Sequence, residues 1–160
     1  MYTKEALEDI HARAHRSLGK LMAHCRDLTP GEFDRELSGF AYPTVRLQLH
    51  HVIGAEEYWI GVLNGVVRAE ENDADFPTIA TLEAYREEVF AATERYLGAA
   101  AGAELNTRRT MLTWGNKERD LVPAHVFLRT QTHIYHHQGQ IMAMCRLMEK
   151  PAGGLDFPID

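Results

Sequence analysis

At 160 residues the chain is long enough to bury a core without disulfide staples, and two cysteines, Cys25 and Cys145, supply no framework of them. A formal net charge of −6 and the lack of any basic run argue against nucleic acid as a ligand. No apolar window reaches the roughly 18–20 residues of a membrane span. The opening Met1-Tyr2-Thr3-Lys4-Glu5-Ala6 also lacks an export signal's apolar stretch, so a cytoplasmic protein that does not engage membranes is expected.

The first helix is expected over residues 4–28, with Leu7, Ile10, Ala14, Leu18, Leu21 and Cys25 on one face. Thr29-Pro30-Gly31-Glu32 reads as an N-cap, a first-turn proline and a capping-box glutamate opening a short helix. A second long helix starts at Tyr42-Pro43 and stops at Asn64-Gly65. Residues 66–77 are acidic and read as a loop or frayed turn. Thr81 is expected to cap a third helix reaching about Leu97, and the Ala/Gly-rich residues 98–106 turn the chain. Thr110-Met111-Leu112-Thr113-Trp114, with the residues after Gly115-Asn116, fits a short hairpin. Pro123 opens a fourth long helix to about Glu149, and Gly153 to Pro158 has too many breakers for regular structure. The fold class expected is all-α: one domain over residues 1–160, a four-helix bundle with an additional short helix and a small hairpin before the last helix.

Nine histidines stand out against only two serines, Ser17 and Ser38, neither in a nucleophile-elbow context. His133 and His137 are four residues apart, so their imidazoles project from one side of the last helix, one above the other. At about 100° per residue both lie on or beside the stripe of Val126, Ile134, Ile141 and Met144, while His125 and His136 point outward. On the second helix, His51 shares a row with Leu47, Ala55, Tyr58 and Val62 and is the inward candidate. His50, in the row of Arg46, Gly54, Glu57 and Gly61, is expected to meet solvent or a partner. Gly54 and Gly61 would permit close helix approach on that polar side, and the remaining apolar residues of the helix require cover on two sides, within the bundle or at a subunit interface.

His51, His133 and His137 thus supply three neutral imidazoles from two helices, a set that leaves coordination positions open for water or substrate. Imidazole suits zinc, nickel, iron or copper. Gln140 stacks under the pair, placed to hydrogen-bond a ligand or bound water. Glu56 reads either as a general base or outer acceptor at this site or as part of a buried salt bridge or interface contact. Arg129, one turn before His133, reads either as a clamp for a carboxylate-bearing substrate or as a surface arginine. His11 and His15 have the same four-residue spacing, but no third ligand is evident, and His15 drifts toward solvent. That pair is expected to be a solvated edge. Cys25 and Cys145 read as small buried hydrophobes, and Trp59 and Trp114 as core or pocket walls.

The segments Leu49-His50-His51-Val52-Ile53-Gly54-Ala55-Glu56-Glu57-Tyr58-Trp59 and Thr132-His133-Ile134-Tyr135-His136-His137-Gln138-Gly139-Gln140, with the closing Leu155-Asp156-Phe157-Pro158, resemble the DinB-like (DinB/YfiT) superfamily of bacterial metal-binding four-helix bundles. The resemblance implies metal ligands at His51, His133 and His137, a divalent ion such as nickel or zinc, and a homodimer. Gln138 stands where many members carry arginine. It further implies a metal-dependent thiol S-transferase or isomerase of stress or xenobiotic metabolism, working on a small-molecule substrate with a low-molecular-weight thiol such as mycothiol or bacillithiol. A non-catalytic metal-binding or sensing dimer and a metal-dependent hydrolase are the alternatives, because fold membership does not fix the chemistry.

Overall fold

The computed structural model describes residues 1–67 and 72–160. Its first helix, α1 (Lys4–Cys25), is opened by the Thr3 hydroxyl, which accepts the Ala6 amide hydrogen. It ends three residues short of the expected Leu28. The turn α2 (Pro30–Phe33) carries the expected capping box: Thr29 receives the Glu32 amide, and the Glu32 carboxylate receives the Thr29 amide. Such a cap stabilises a helix by ~1 kcal/mol. Glu32 also binds Lys150 at 2.9 Å, tying this turn to the residues that follow the last helix.

Helix α3 (Val45–Leu63) begins two residues after Pro43, with Thr44 as cap. It stops at Asn64 and Gly65, whose φ of 74° suits only glycine comfortably. Gly61 serves this stop rather than a helix crossing. A Cβ there would come within 2.5 Å of the Val66 carbonyl oxygen, where the chain folds back so that the Val66 amide donates to the Gly61 carbonyl. The acidic stretch that follows falls partly on residues 68–71, outside the described residues. Its later part forms a short 3-10 turn, Asp73–Asp75, capped by Asn72.

Helix α4 (Ile79–Ala99) is capped by Thr78, three residues before the expected Thr81. Thr81 is instead the reciprocal partner in the cap. Both residues are threonines able to cap, and the Ile79-Ala80 pair between them is compatible with a helix, so local sequence leaves the start open. A one-turn helix, α5 (Gly102–Asn106), occupies the expected turn region. The hairpin forms as read, with β1 (Arg109–Thr113) antiparallel to β2 (Lys117–Leu121) in the register Arg109 to Leu121 through Thr113 to Lys117. Gly115 and Asn116, both at positive φ, make its turn. Met111 and Thr113 face inward, and Arg109 donates to the Leu63 carbonyl, which docks the hairpin beside the end of α3. Helix α6 (Pro123–Leu147) starts on its proline. The tail has no regular structure but is held down, with Arg13 donating to the Pro158 and Asp160 carbonyls and Ser17 to that of Asp156.

The architecture is mostly helical. Helix α3 packs against α4 and α6, and α1 packs against the same two helices from the other side. The broad apolar surface of α3 is thereby covered within the chain. Cys25 and Cys145 are buried free thiols, as their expected role as small hydrophobes requires. Among the described residues, no helix is long and apolar enough to cross a membrane.

The core falls into two apolar clusters, one with Leu18, Leu21, Leu49, Ile53, Val89, Ile134 and Ile141, the other with Leu7, Trp59, Ile60, Leu97, Leu105 and Phe127. On each long helix a buried polar residue marks the boundary between them: His11 on α1, Glu56 on α3, Thr93 on α4 and Thr130 on α6. A polar layer therefore crosses the core, and such groups are tolerated only when they find partners.

Candidate metal centres

Helix periodicity brings His51, His133 and His137 together as the sequence angles require. Their ligand nitrogens all lie within 4.8 Å of one another. The Nε2 atoms of His51 and His133 face each other at 3.1 Å, and the ring centroids of His137 lie 4.8 Å from His51 and 4.4 Å from His133. Tetrahedral bonds of about 2.05 Å would set nitrogens roughly 3.3 Å apart, so little movement separates this set from a chelating one. His137 is buried, whereas His51 and His133 are half-buried, so the cluster keeps a side toward solvent.

The surroundings fix which nitrogen is available. Gln48, fully buried on α3, donates its amide hydrogens to the Tyr42 carbonyl and to Gln140 Oε1. Its own oxygen must therefore accept, and it faces His137 Nδ1. His137 then carries its hydrogen on Nδ1 and leaves the Nε2 lone pair for a ligand, the usual role of an outer partner at a metal site. Tyr42 stacks on His51 with centroids 3.9 Å apart and planes 19° apart. Burial, joined by the neighbouring positive charges of His51, Arg129 and His136, holds His133 down to about 4. Burial and the histidines 133, 51 and 136 hold His137 down to about 3. Both rings are neutral near pH 7, the form that binds a metal.

Gln140 does not point at the three histidines. It joins a chain in which it accepts from Gln48 and donates to exposed His136 Nε2, at 2.7 Å. Arg129 lies over the face of Trp59, its guanidinium carbon 5.4 Å from the ring centroid, close enough for its charge to bear on His133. Trp59 is a buried wall, while Trp114 is 47% exposed, with its amide donating to the Tyr58 hydroxyl. Gln48 escaped the sequence reading although it stands three residues before His51, on the same side of the helix; that spacing was the available signal.

Glu56 is not part of this site. It lies five residues beyond His51, roughly 140° around the axis of α3, and faces α1 and α4. There it joins a second buried group whose ligand atoms also lie within 4.8 Å of one another, His11, His15 and Glu56. His11 Nε2 is 2.9 Å from Glu56 Oε1, His15 Nε2 is 2.8 Å from Oε2, and the Thr93 hydroxyl donates to Oε1 at 2.7 Å. The salt-bridge reading of Glu56 is thus the one realised, and the solvated-edge reading of His11 and His15 is overturned, for they are 0% and 4% exposed. His11 stands between Leu7 and Ala14 on the apolar stripe of α1, a position that already implied burial. The partner on another helix was not visible from spacing.

His50 is a further correction. It is buried against Phe76 and Tyr85, because the polar side of α3 is itself covered: Arg46 pairs with Asp34 and Asp73, and Glu57 accepts from the Tyr85 hydroxyl.

A scan of family models matches the DinB family over residues 1–160, the whole chain. The chain belongs to the DinB family. No curated protein matches it by sequence search. For this DinB chain the match adds the family to what the geometry establishes, namely buried histidine and glutamate groups that can hold a metal ion.

Proposed function

We propose that this DinB-family protein is a single four-helix-bundle domain that binds one divalent transition metal, nickel, zinc or iron, through His51, His133 and His137 and uses it as a thiol S-transferase. The observation that carries the reading is the convergence of three imidazoles with a side toward solvent, two of them held neutral by their surroundings. A bound ion would acidify a small thiol, whose thiolate is the reactive form. Gln48 holds His137 in the ligating tautomer, and Tyr42 packs the His51 ring in place. Arg129, on the Trp59 face beside His133, supplies a positive charge for an anionic substrate or a carboxylate-bearing thiol. Glu56 is committed to His11 and His15. That favours chemistry needing no carboxylate base at the ion over hydrolysis assisted by Glu56.

The test is turnover of a chloro-dinitrobenzene electrophile by metal-loaded and metal-stripped protein with a panel of small thiols, alongside elemental analysis. Metal-dependent product formation is expected. His51→Ala, His133→Ala and His137→Ala should each lose one equivalent of metal per chain, and the activity with it, while retaining the helical circular dichroism. Equal rates with and without metal across the panel would remove the transferase reading. Unchanged metal content in any one variant would remove that histidine from the site.

A further inference from the structure

We infer that His11, His15 and Glu56 form a second, closed metal site that clamps α1, α3 and α4 around a divalent first-row transition ion, with zinc as the reference ion. The donors are those such an ion takes, two imidazole nitrogens and a carboxylate. His11 and His15 are chelate-spaced on one helix, and both Nε2 atoms converge on the two oxygens of Glu56 at 2.9 and 2.8 Å. Every member is at least nine-tenths buried.

The outer partners are those a metal centre needs. Glu94 Oε1 lies 2.9 Å from His11 Nδ1, so this carboxylate holds the hydrogen on Nδ1 and directs Nε2 inward. Thr93, one residue earlier on α4, donates to Glu56 Oε1 and orients that carboxylate. A carboxylate–histidine pair backed by a second hydrogen bond to the ligating carboxylate is the usual support of a metal's ligands. Phe90 stacks on His11, with centroids 4.5 Å apart and planes 12° apart, which fixes the ring further.

Charge is compatible with the same assignment. His11 faces a carboxylate oxygen at each nitrogen, from Glu56, which is buried, and from Glu94, which is 40% exposed, so only the Glu56 charge must be balanced within the core. A dication bound by two neutral imidazoles would more than balance it, with Glu94 beside His11 offsetting the remaining positive charge. A groove of about 340 Å³ between α1 and α4, lined in part by His15 and Phe90, reaches the edge of the group. With no half-exposed ligand, and with both Glu56 oxygens beside the two Nε2 atoms to make four donor atoms, this site contrasts with the three-histidine cluster and has the closed character of structural centres.

The experiment separates the two sites. Native protein and the His51→Ala/His133→Ala variant are unfolded in urea with chelator, refolded with zinc, dialysed and analysed for metal. Refolding in zinc removes slow entry as an obstacle. The native chain is expected to hold two equivalents, the double variant one, and the double variant with His15→Ala none. Zinc should also raise the melting temperature of the double variant, and cobalt in its place should give visible ligand-field bands. A folded double variant that retains no zinc and shows no thermal shift overturns this inference while leaving the open site intact. One equivalent in both native protein and double variant would uphold it and count against the open site.

Discussion

Helix α3 presents His51 on one side and Glu56 on another, and the two clusters built on them have opposite electrostatics. At His51 the neighbours that bear on His133 and His137 are other imidazoles and Arg129, so burial and like charge together drive protons off, to about 4 and about 3. At Glu56 burial works against the charged ring of His11 too, yet the carboxylates of Glu56 and Glu94 outweigh it and raise the pKa. Burial likewise pushes the Glu56 carboxyl up, and His15 and His11 more than reverse that. Each cluster contains a pair of histidines four residues apart on one helix. Spacing makes chelation possible, but the third residue, imidazole or carboxylate, decides whether protons are shed, as at His133 and His137, or one is held, as at His11.

The largest expected difference is in stability. In metal-free protein at pH 7, Glu56→Ala leaves His11 and His15 buried without their shared acceptor and should cost about 3–5 kcal/mol. His133→Ala removes a half-buried ring that repels its neighbours when charged and should change stability by no more than about 1 kcal/mol. Urea unfolding in the presence of chelator checks both. Similar costs for the two would erase the distinction between a cluster that supports the fold and one that the fold supports.

That distinction also marks what sequence can reveal. The four long helices follow from 3.6-residue periodicity, the stop at Asn64-Gly65 and the first-turn proline Pro123, and the short α2 from its Thr29 capping box, all of them local signals. His51, His133 and His137 could be chosen because each lies on the apolar side of its own helix, and two apolar sides in one core must meet. The Glu56 group was not legible in the same way. A glutamate on an apolar face signals a partner, but His11, His15 and Thr93 come from two other helices, 37 to 45 positions away along the chain. His50 was misplaced for a related reason: a polar row predicts solvent only if no other segment lies over it, and α4 does.

A smaller effect sharpens the role of Gln48. Replacing it with methionine keeps volume but removes the acceptor for His137 Nδ1, so the ring is free to turn or to place its hydrogen on Nε2. Metal affinity at the open cluster should fall by about 10–100-fold, read by competition with a chromophoric chelator in a Glu56→Gln background, so that only one site reports. If affinity stays unchanged in protein of native circular dichroism, Gln48 merely packs, and the His137 ring is oriented by its other neighbours.

The gentlest test follows stability against pH in metal-free protein, above the carboxylate range. The folded-state pKa values of His133 and His137, about 4 and about 3, lie below the unfolded value of about 6.5. Between these limits the unfolded chain binds more protons, so this cluster makes stability rise with pH from 5 to 6.5. His11 has its folded pKa raised, so its contribution is complete below about 6.5 and is lost as pH rises through the folded value. The two slopes oppose each other, each at most about 1.4 kcal/mol per pH unit for one proton. Stability should therefore peak between the two ranges. His133→Ala should make the acid limb shallower, leaving the share of His137, without touching the alkaline limb, and His11→Gln should flatten the alkaline limb alone. If either variant flattened both limbs, the clusters would be titrating as one network through α3, and their separation around that helix would not isolate them electrically.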